Sequence, residues 1–541
     1  MLSGQVVDVF NRSIYPGRIF AEKGIIQEVH RTQANIEPGF LIPGLVDSHI
    51  HIESSMLTPQ QFSAVAMNHG TVATVSDPHE IANVLGEKGI RFMLKDAARS
   101  PLKFHFGVPS CVPATPFESS GAVLDGQKVA QLLKKEQFGF LAEMMNFPGV
   151  IQQDADVMMK IQAARESGKP VDGHAPGLLG DALQQYIDAG ISTEHECSTY
   201  AEAREKLERG MYILIREGSA AKNFDVLYPL IDEFPDKVML CSDDRHPDDL
   251  IRGHMNLLIQ KGIACGLDIF HLLQAACVNP VKHYRLSCGL LRENDPADIV
   301  RVDDLDQFII LETFIDGKCL YGSRKVGYEP KSHGVPNIMK AKPIQSSDLE
   351  IPAEDKPIRV IHARDHELYT SFTAENPKNG NGLLLSDTER DILKIAVLNR
   401  YQPGKPSLGF IKNFGLKRGA LGSSIAHDSH NLIVVGTDDI SMVRTFNHLI
   451  EQKGGIVVCN GSELEGLPLK VAGLMSDQPA AVVSGRYHEL TAMAAELGCK
   501  LQAPFMTLSF MALPVIPELK LTDQGLFDVQ SFQYTTLYVD A

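Results

Sequence analysis

The sequence has no tryptophan, no closely spaced cysteine pair and no long hydrophobic run. Its 541 residues include nine scattered cysteines, no two of them three positions apart. This spacing excludes the CxxC motif of structural zinc and dithiol redox sites. Few and unpaired cysteines are typical of free thiols in a reducing compartment, so we expect a cytoplasmic protein.

Segments that would direct the chain to or through a membrane are also missing from the sequence. No run approaches the ~18 apolar residues of a membrane span, so we expect no membrane partner. The first ten residues, MLSGQVVDVF, lack the basic start and the apolar core of a signal peptide.

Positive charge is scarce relative to negative charge. Lysine and arginine number 51 against 67 aspartates and glutamates, which gives a formal net charge of −16. A protein that binds nucleic acid without sequence preference needs basic groups to displace phosphate counterions, so a nucleic-acid polymer is disfavoured as a partner. The composition does not exclude an enzyme that acts on a free nucleobase. With 44% hydrophobic and 22% charged residues, the chain is otherwise typical of globular proteins.

What the sequence does contain, from Leu41 to about Leu286, is an alternation of short apolar runs with helix-length amphipathic stretches. This alternation is typical of βα units around a parallel sheet. Eight strands are predicted, at 44–52, 71–77, 103–108, 139–145, 170–174, 191–196, 211–217 and 238–244. Eight units of this size predict an α/β fold with a (β/α)8 TIM-like barrel at 43–286, and a doubly wound open sheet is the competing architecture.

Both flanks of the predicted barrel have patterns of their own. Short strands separated by turn signals occupy 1–42, and further strands follow the barrel at 287–330. A stretch rich in lysine, proline and serine at 331–349 predicts a linker. The remaining segment, 350–541, has a mixed α/β pattern and enough residues for a core of its own, so we predict a C-terminal α/β domain.

Side chains that bind metals stand where the predicted barrel strands end. In such barrels the reactive groups lie at the carboxyl ends of the strands. Six candidates occupy five strand ends: His49, His51, Glu143, His174, His195 and Asp243. A single histidine at a strand end is more often a structural residue, but the joint pattern predicts a site for two divalent cations. Imidazole and carboxylate donors favour Zn, Mn or Fe over Ca, and Glu143 is placed to bridge the two ions.

Seven further residues are candidates for metal or substrate contacts: His79, Glu217, Ser219, His246, His427, Asp428 and His430. His79 follows the second strand, and hydrogen bonding within its loop is an equal alternative. Glu217 and Ser219 could supply a donor or an acceptor to a planar ring. The segment AHDSHN at 426–431 is expected to close over the barrel mouth, with a second metal site or a structural loop as alternatives.

Three acidic residues beside the candidate ligands are expected to be structural. Glu194 and Glu196 alternate away from His195, so they should form salt bridges with surrounding helices. Asp244 should point away from Asp243 if the last strand continues.

The motif PGLVDSHIHIE, followed by the later candidate ligands, resembles the amidohydrolase superfamily. Within that superfamily, further motifs resemble the adenine deaminase family: SHIHIESSMLTP, SDPHEIANV, EMMNFPGV, DGHAPGL, TEHE, SDDRHPDDL and KRGA…SSIAHDSHNLIVVG. The resemblance extends over essentially the whole chain.

The resemblance implies a binuclear metal centre. In that centre His49, His51 and Asp243 hold one ion, and His174 and His195 hold the other. Glu143 takes the bridging place that a carboxylated lysine fills in many relatives. The usual metals are Mn or Fe, a small β-sandwich is built from 1–42 and 287–330, and a homodimer is common.

The resemblance further implies hydrolytic deamination of adenine to hypoxanthine and ammonia. A hydroxide generated by the metals attacks C6, and Asp243 is the candidate proton acceptor. Two alternatives remain open at this point. One is another binuclear amidohydrolase that acts on a cyclic amide or amidine. The other is a non-catalytic metal-binding relative.

Overall fold

The fold is that of a computed structural model that describes residues 1–219, 221–365 and 367–539. Eight parallel strands form a closed barrel: Leu45–Ile50, Thr71–Ser76, Lys103–Val108, Phe138–Met144, Val171–Gly173, Thr193–Glu194, Tyr212–Arg216 and Val238–Cys241. The first five strands form one sheet and the last three another. Parallel bridges from Val171 to Ile191 and from Ile50 to Asp243 join the two sheets. The predicted barrel, and not the open sheet, is therefore the observed architecture.

Helices follow the barrel strands, and some of them begin at a capping side chain. The side chain of Asp125 accepts a hydrogen bond from the Lys128 amide, and that of Asp154 accepts from the Val157 amide. Such caps satisfy amides that have no partner within the helix. The principal barrel helices are Pro59–Ala66, His79–Leu85, Glu87–Ala97, Gly126–Leu133, Ala155–Glu166, Gly180–Asp188, Tyr200–Glu208, Phe224–Leu227, Pro229–Glu233, Pro247–Arg252 and Met255–Ala264.

The last predicted helix of the barrel is present but not uniform. It runs as α-helix over Ile269–Leu273, as π-helix over Gln274–Val278 and again as α-helix over Asn279–Tyr284. Pro280 stands at the start of the last of these, where a missing amide hydrogen has no cost. A further short helix, Phe147–Ile151, begins just beyond the fourth strand end.

Strands from both flanks of the barrel join into one seven-stranded sheet. Its members are Leu2–Asp8, Ser13–Glu22, Ile25–Arg31, Phe40–Pro43, Ile299–Val302, Ile310–Ile315 and Lys318–Tyr321. Residue 40 pairs with Val302 and Pro43 with Ile299 in antiparallel register, so the two flanks meet inside this sheet. The buried Arg301 side chain pairs with Glu312 at 2.9 Å across the same sheet.

The C-terminal part is built on an eight-stranded mixed sheet. Its strands, in spatial order, are Ser371–Glu375, Ile358–His362, Ser407–Lys412, Leu393–Leu398, Leu432–Gly436, Ala420–Ser423, Gly455–Asn460 and Glu463–Pro468. The helices Asp439–Glu451, Ala480–Glu496 and Pro504–Ser509 pack around it. Two small sheets, formed by Lys378–Gly380 with Leu383–Leu385 and by Leu519–Thr522, Gly525–Asp528 and Gln533–Tyr534, complete this part. The central strands Leu393–Leu398 and Leu432–Gly436 are buried on both faces, and Lys394 is the one charged residue between them.

The C-terminal part covers the carboxyl ends of the barrel strands. The Thr58 amide donates to the Ser476 carbonyl at 3.2 Å, and Nδ1 of His246 lies 3.0 Å from the Tyr487 hydroxyl. The Asn431 side chain donates to the Ser119 carbonyl at 2.9 Å. These contacts join loops of the barrel to the second half of the chain, so the barrel mouth is a covered surface.

In the part of the chain that the structure describes, no helix has both the length and the apolar character needed to cross a membrane. All nine cysteines are free thiols, and all but Cys265 are buried. The predicted domain boundaries, including the linker at 331–349, remain predictions.

Candidate metal centre and active site

The first and last barrel strands bring His49, His51 and Asp243 to one point. The two histidines are two residues apart on an extended segment, so their rings project to the same side. Their Nε2 atoms lie 3.2 Å apart, and Oδ1 of Asp243 lies 3.6 Å from Nε2 of His49 and 3.4 Å from Nε2 of His51. The Asp243 amide donates to the His49 carbonyl at 2.9 Å, which fixes the two strand ends together.

Glu143, from the fourth strand, stands between two groups of histidines. Its Oε1 lies 3.2 Å from Nε2 of His51. Its Oε2 lies 2.7 Å from Nδ1 of His174 and 3.2 Å from Nε2 of His195. One oxygen therefore faces each group, which is the arrangement that a carboxylate shared by two cations requires.

The charges of this cluster favour a divalent cation. Burial and the neighbouring rings of His195 and His51 hold the pKa of His49 well below its usual value. Burial alone would raise the pKa of Glu143, but the surrounding imidazoles hold it well below the usual range. His49 is thus a neutral imidazole beside the ionised carboxylate of Glu143, whereas the surrounding carboxylates raise the pKa values of His51, His174 and His195, which must lose their protons to bind a metal. Buried nitrogen and oxygen donors of this kind fit a divalent transition metal.

Two groups behind the cluster orient its rings. Nδ1 of His51 lies 3.2 Å from the Asp77 carbonyl, which leaves Nε2 to face the centre. Oδ2 of Asp77 lies 3.0 Å from Nδ1 of His79, and that nitrogen is 3.6 Å from Oε1 of Glu143. Outer partners of this type fix the tautomer and direction of a metal-binding histidine. His79 therefore lies at the edge of the cluster.

Arg216 and Glu196 are also part of this site, although Glu196 was expected to pair with surrounding helices. Arg216 donates to Oδ2 of Asp243 at 2.5 Å and to Oε2 of Glu196 at 2.9 Å. Oε1 of Glu196 lies 3.5 Å from Nε2 of His195. The prediction that Glu196 pairs with surrounding helices is wrong because the sixth strand is only two residues long. The alternation of side-chain direction along that strand therefore does not extend to Glu196. Glu194, inside that strand, does pair with a helix, through Lys206 at 3.4 Å.

Asp244 was expected to point away from the site, and this expectation is also wrong. The last strand ends at Cys241, and Asp243 has a left-handed φ of 55°, so the alternation of a strand does not continue. Asp244 lines the same cavity as Asp243, and its Oδ1 accepts a hydrogen bond from Ser54 at 2.6 Å. Burial and the charge of Asp243 raise the pKa of Asp244 to about 6.

Three candidates for ring contacts have their side chains directed elsewhere. Glu217 accepts a hydrogen bond from Lys261 at 3.0 Å, and the Ser219 hydroxyl donates to Asp249 at 2.6 Å. His246 contacts Tyr487, as described above. Among the described residues, these three do not line the cavity above the metal cluster. Their position after a strand end suggested the mouth, but the direction of their side chains could not be deduced from the sequence.

The segment AHDSHN does reach the barrel mouth. Glu80, on the helix after the second strand, pairs with both histidines of this segment. Its Oε1 lies 2.9 Å from Nδ1 of His427 and its Oε2 lies 2.6 Å from Nε2 of His430. His427 and Asp428 line the cavity above the cluster, while His430 lies behind them. The ring of Phe510 stacks on that of His427 with centroids 4.4 Å apart.

The cavity above the cluster is small and has two unlike walls. Its volume is about 40 Å³, and polar side chains from the barrel form its floor. Its roof is apolar and comes from the C-terminal part: Leu368, Phe510, Leu513, Val515 and Ile516. A second cavity of about 210 Å³ adjoins it and shares the walls Glu196, Arg216, Leu368, Val515 and Ile516. The Arg216–Glu196 pair therefore stands between the two spaces.

The chain is similar to known proteins along its whole length. Residues 40–320 match the Amidohydrolase family, and residues 367–533 match the Adenine deaminase C-terminal domain. The chain is 55% identical to an adenine deaminase of Methanosarcina mazei over 99% of both chains. It is 48% identical to an adenine deaminase of Salinibacter ruber, over 100% of this chain and 99% of the other. From these matches, the chain belongs to the adenine deaminase family of amidohydrolases.

Proposed function

We propose that this protein catalyses the hydrolytic deamination of adenine to hypoxanthine and ammonia. The observation that carries the proposal is the pair of contacts of Glu143, whose two buried oxygens face separate histidine groups below the cavity. The adenine deaminases of Methanosarcina mazei and Salinibacter ruber, which match this chain from end to end, support the choice of adenine.

We further propose that the site holds two divalent cations, Mn or Fe, with Zn as an alternative. His49, His51 and Asp243 would hold one ion. His174 and His195 would hold the other ion, and Glu143 would be a ligand of both. When bound, such ions lower the pKa of water to about 7 and so supply hydroxide at neutral pH.

Asp243 is the group that moves the proton. Burial would raise its pKa, but the charge of Arg216 and the neighbouring imidazoles hold it well below the usual range, so the group is an ionised carboxylate. Arg216 contacts Oδ2, which leaves Oδ1 to face the centre. Oδ1 takes the proton released as the water oxygen bonds to C6, and returns it to the amino nitrogen. The bond between C6 and nitrogen then breaks and ammonia leaves, and the second proton of the water moves from the C6 oxygen to N1, which gives hypoxanthine.

The surroundings of the cluster suit a planar ring with apolar faces. The roof of Leu368, Phe510 and Val515 excludes bulk water, which strengthens the electrostatic interactions of the buried carboxylates. We also propose that the enzyme works as a homodimer in the cytoplasm. The nine unpaired thiols support a reducing compartment.

The direct test is to load the full chain with Mn²⁺ and measure ammonia release from adenine, adenosine, cytosine and guanine. We expect release from adenine alone. If ammonia were released from one of the other compounds but not from adenine, that compound would be the substrate instead of adenine. Failure with all four would contradict the deaminase proposal.

A further inference from the structure

We propose that Asp428 determines specificity for the free purine base, by accepting a hydrogen bond from the N–H group of its five-membered ring. The inference rests on the proposed function, because it concerns how the same cavity holds adenine.

Asp428 has a buried oxygen that no described residue satisfies. The residue is 4% exposed and lines the cavity above the metal cluster. Its Oδ2 is buried and has no hydrogen-bond partner among the described residues. Its Oδ1 lies 3.9 Å from Nε2 of His79 and 3.9 Å from Nδ1 of His427, which is too long for a hydrogen bond. A buried carboxylate oxygen without a donor is costly, so a donor is expected when the site is occupied.

The position of Asp428 relative to the reacting end of the cavity limits which donor this is. The ring of His79 stands between the two ends. Its Nδ1 faces Oε1 of Glu143 at 3.6 Å, and its Nε2 faces Asp428. Glu143 and Asp243 therefore mark one end of the cavity and Asp428 the other. A purine with C6 at the first end directs its five-membered ring towards the second.

Adenine has N–H bonds at only two places, the amino group on C6 and the five-membered ring. The amino group is at the reacting end, where it becomes ammonia. The ring N–H is then the only donor that the substrate can offer to Asp428. A hydrogen bond from a neutral donor to a carboxylate is among the stronger ones in a dry site.

The same contact would exclude a nucleoside. Adenosine carries ribose on N9, so it has no ring N–H to donate. The stacked rings of His427 and Phe510, which also line this cavity, crowd the space that ribose would need. A site built around a hydrogen bond rejects analogues that lack the donor, because its own polar group is left unpaired.

The test compares adenine with 9-methyladenine, which has the same reacting group but no ring N–H. On the manganese-loaded full chain we expect a kcat/KM for 9-methyladenine at least ~10-fold below that for adenine. Asp428→Ala should reduce kcat/KM for adenine at least ~10-fold, mainly through KM, and leave 9-methyladenine unchanged. Asp428→Asn keeps an acceptor oxygen and should lose less than Asp428→Ala.

The matched control is Ser429→Ala, a buried neighbour that does not line the cavity among the described residues. It should leave the ratio of kcat/KM values for adenine and 9-methyladenine at the wild-type value. An equal loss on both substrates in Asp428→Ala, with normal thermal unfolding, would overturn the proposal. So would a loss of bound metal in that variant, since Asp428 would then be a ligand. Equal wild-type activity on the two substrates would also overturn it.

Failure of the proposed function can be told apart from failure of this inference. If the wild type binds adenine but releases no ammonia, discrimination between adenine and 9-methyladenine is measured by their binding constants from calorimetry instead of by kcat/KM. Discrimination that disappears in Asp428→Ala but persists in Ser429→Ala would still support the role of Asp428. Equal binding of both bases by the wild type would contradict it.

Discussion

Arg216 donates to Oδ2 of Asp243 at 2.5 Å while its second terminal nitrogen holds Glu196 at 2.9 Å. All three side chains are buried or nearly so. The guanidinium thus fixes the direction of Asp243, which faces His49 and His51, and balances the charge of a second carboxylate, Glu196, which faces His174 and His195. A planar fork is suited to this task, because it can contact both carboxylates at fixed angles.

Asp243→Asn is expected to abolish ammonia release while most of the metal stays bound. The amide keeps the shape of the carboxylate and one oxygen, but it cannot take the proton. Turnover and metal content per chain, measured on the same preparation, check the expectation. An Asp243→Asn enzyme with near-normal turnover would show that another group moves the proton.

Glu143→Gln is expected to lower the occupancy of at least one metal ion. The carboxylate faces two histidine groups with separate oxygens, and an amide offers only one oxygen. Elemental analysis of the purified variant checks this. If the variant bound as much metal as the wild type, Glu143 would not be shared between ions. Glu118→Gln is a suitable control, because Glu118 is also buried but does not line the cavity among the described residues.

Arg216→Met is expected to lower both stability and activity. The substitution leaves Glu196 and Asp243 without their shared positive partner, and breaking a buried ion pair costs about 3–5 kcal/mol. The midpoint of thermal unfolding and kcat are the measurements. Arg216→Lys keeps the charge but not the fork, so it should recover more stability than activity. Equal recovery of both would indicate that charge alone is needed at this position.

Lys520 should make stability depend on pH above neutrality. Its amine is buried and donates to the carbonyls of Leu368 and Phe510, two residues of the cavity roof. Burial lowers its pKa to about 7 from a usual 10.5. Between these values the unfolded chain binds the proton and the folded chain does not, so the free energy of unfolding should rise with pH from about 7 to 10.5.

The comparison for Lys520 is with Lys520→Met, measured by urea unfolding at several pH values. The variant should lose the part of the pH dependence that Lys520 contributes in this window. The same slope in the variant and the wild type would mean that another group causes it. A higher KM for adenine in the variant is also expected, because the roof segments lose a shared donor.

Much of the barrel could be predicted from the sequence, because a parallel strand leaves a strong local pattern. All eight predicted strands are present, and the cluster around Glu143 gathers residues from separate predicted strand ends. Glu196 and Asp244 could not be placed in this way. Both lie beyond short strands, where side-chain direction is set by loops and not by alternation.

The contacts of the segment AHDSHN at 426–431 could not be predicted from local sequence patterns. The loop of His427 and Asp428 is held at the barrel in part by Glu80, several hundred residues earlier, which pairs with both histidines of that loop. Nothing in the periodicity of either segment identifies the other. Polar residues before a buried strand indicate that a site is near, but its partner depends on how the two halves of the chain pack.

The pairing of Glu80 with His427 and His430 has a consequence for synthesis. A ribosome completes the barrel, with all six clustered side chains, well before it reaches the loop that covers them. A nascent barrel would therefore present its acidic and histidine-rich mouth to water and to passing cations. The mouth is covered only once the loop that carries His427 and His430 has been made and pairs with Glu80.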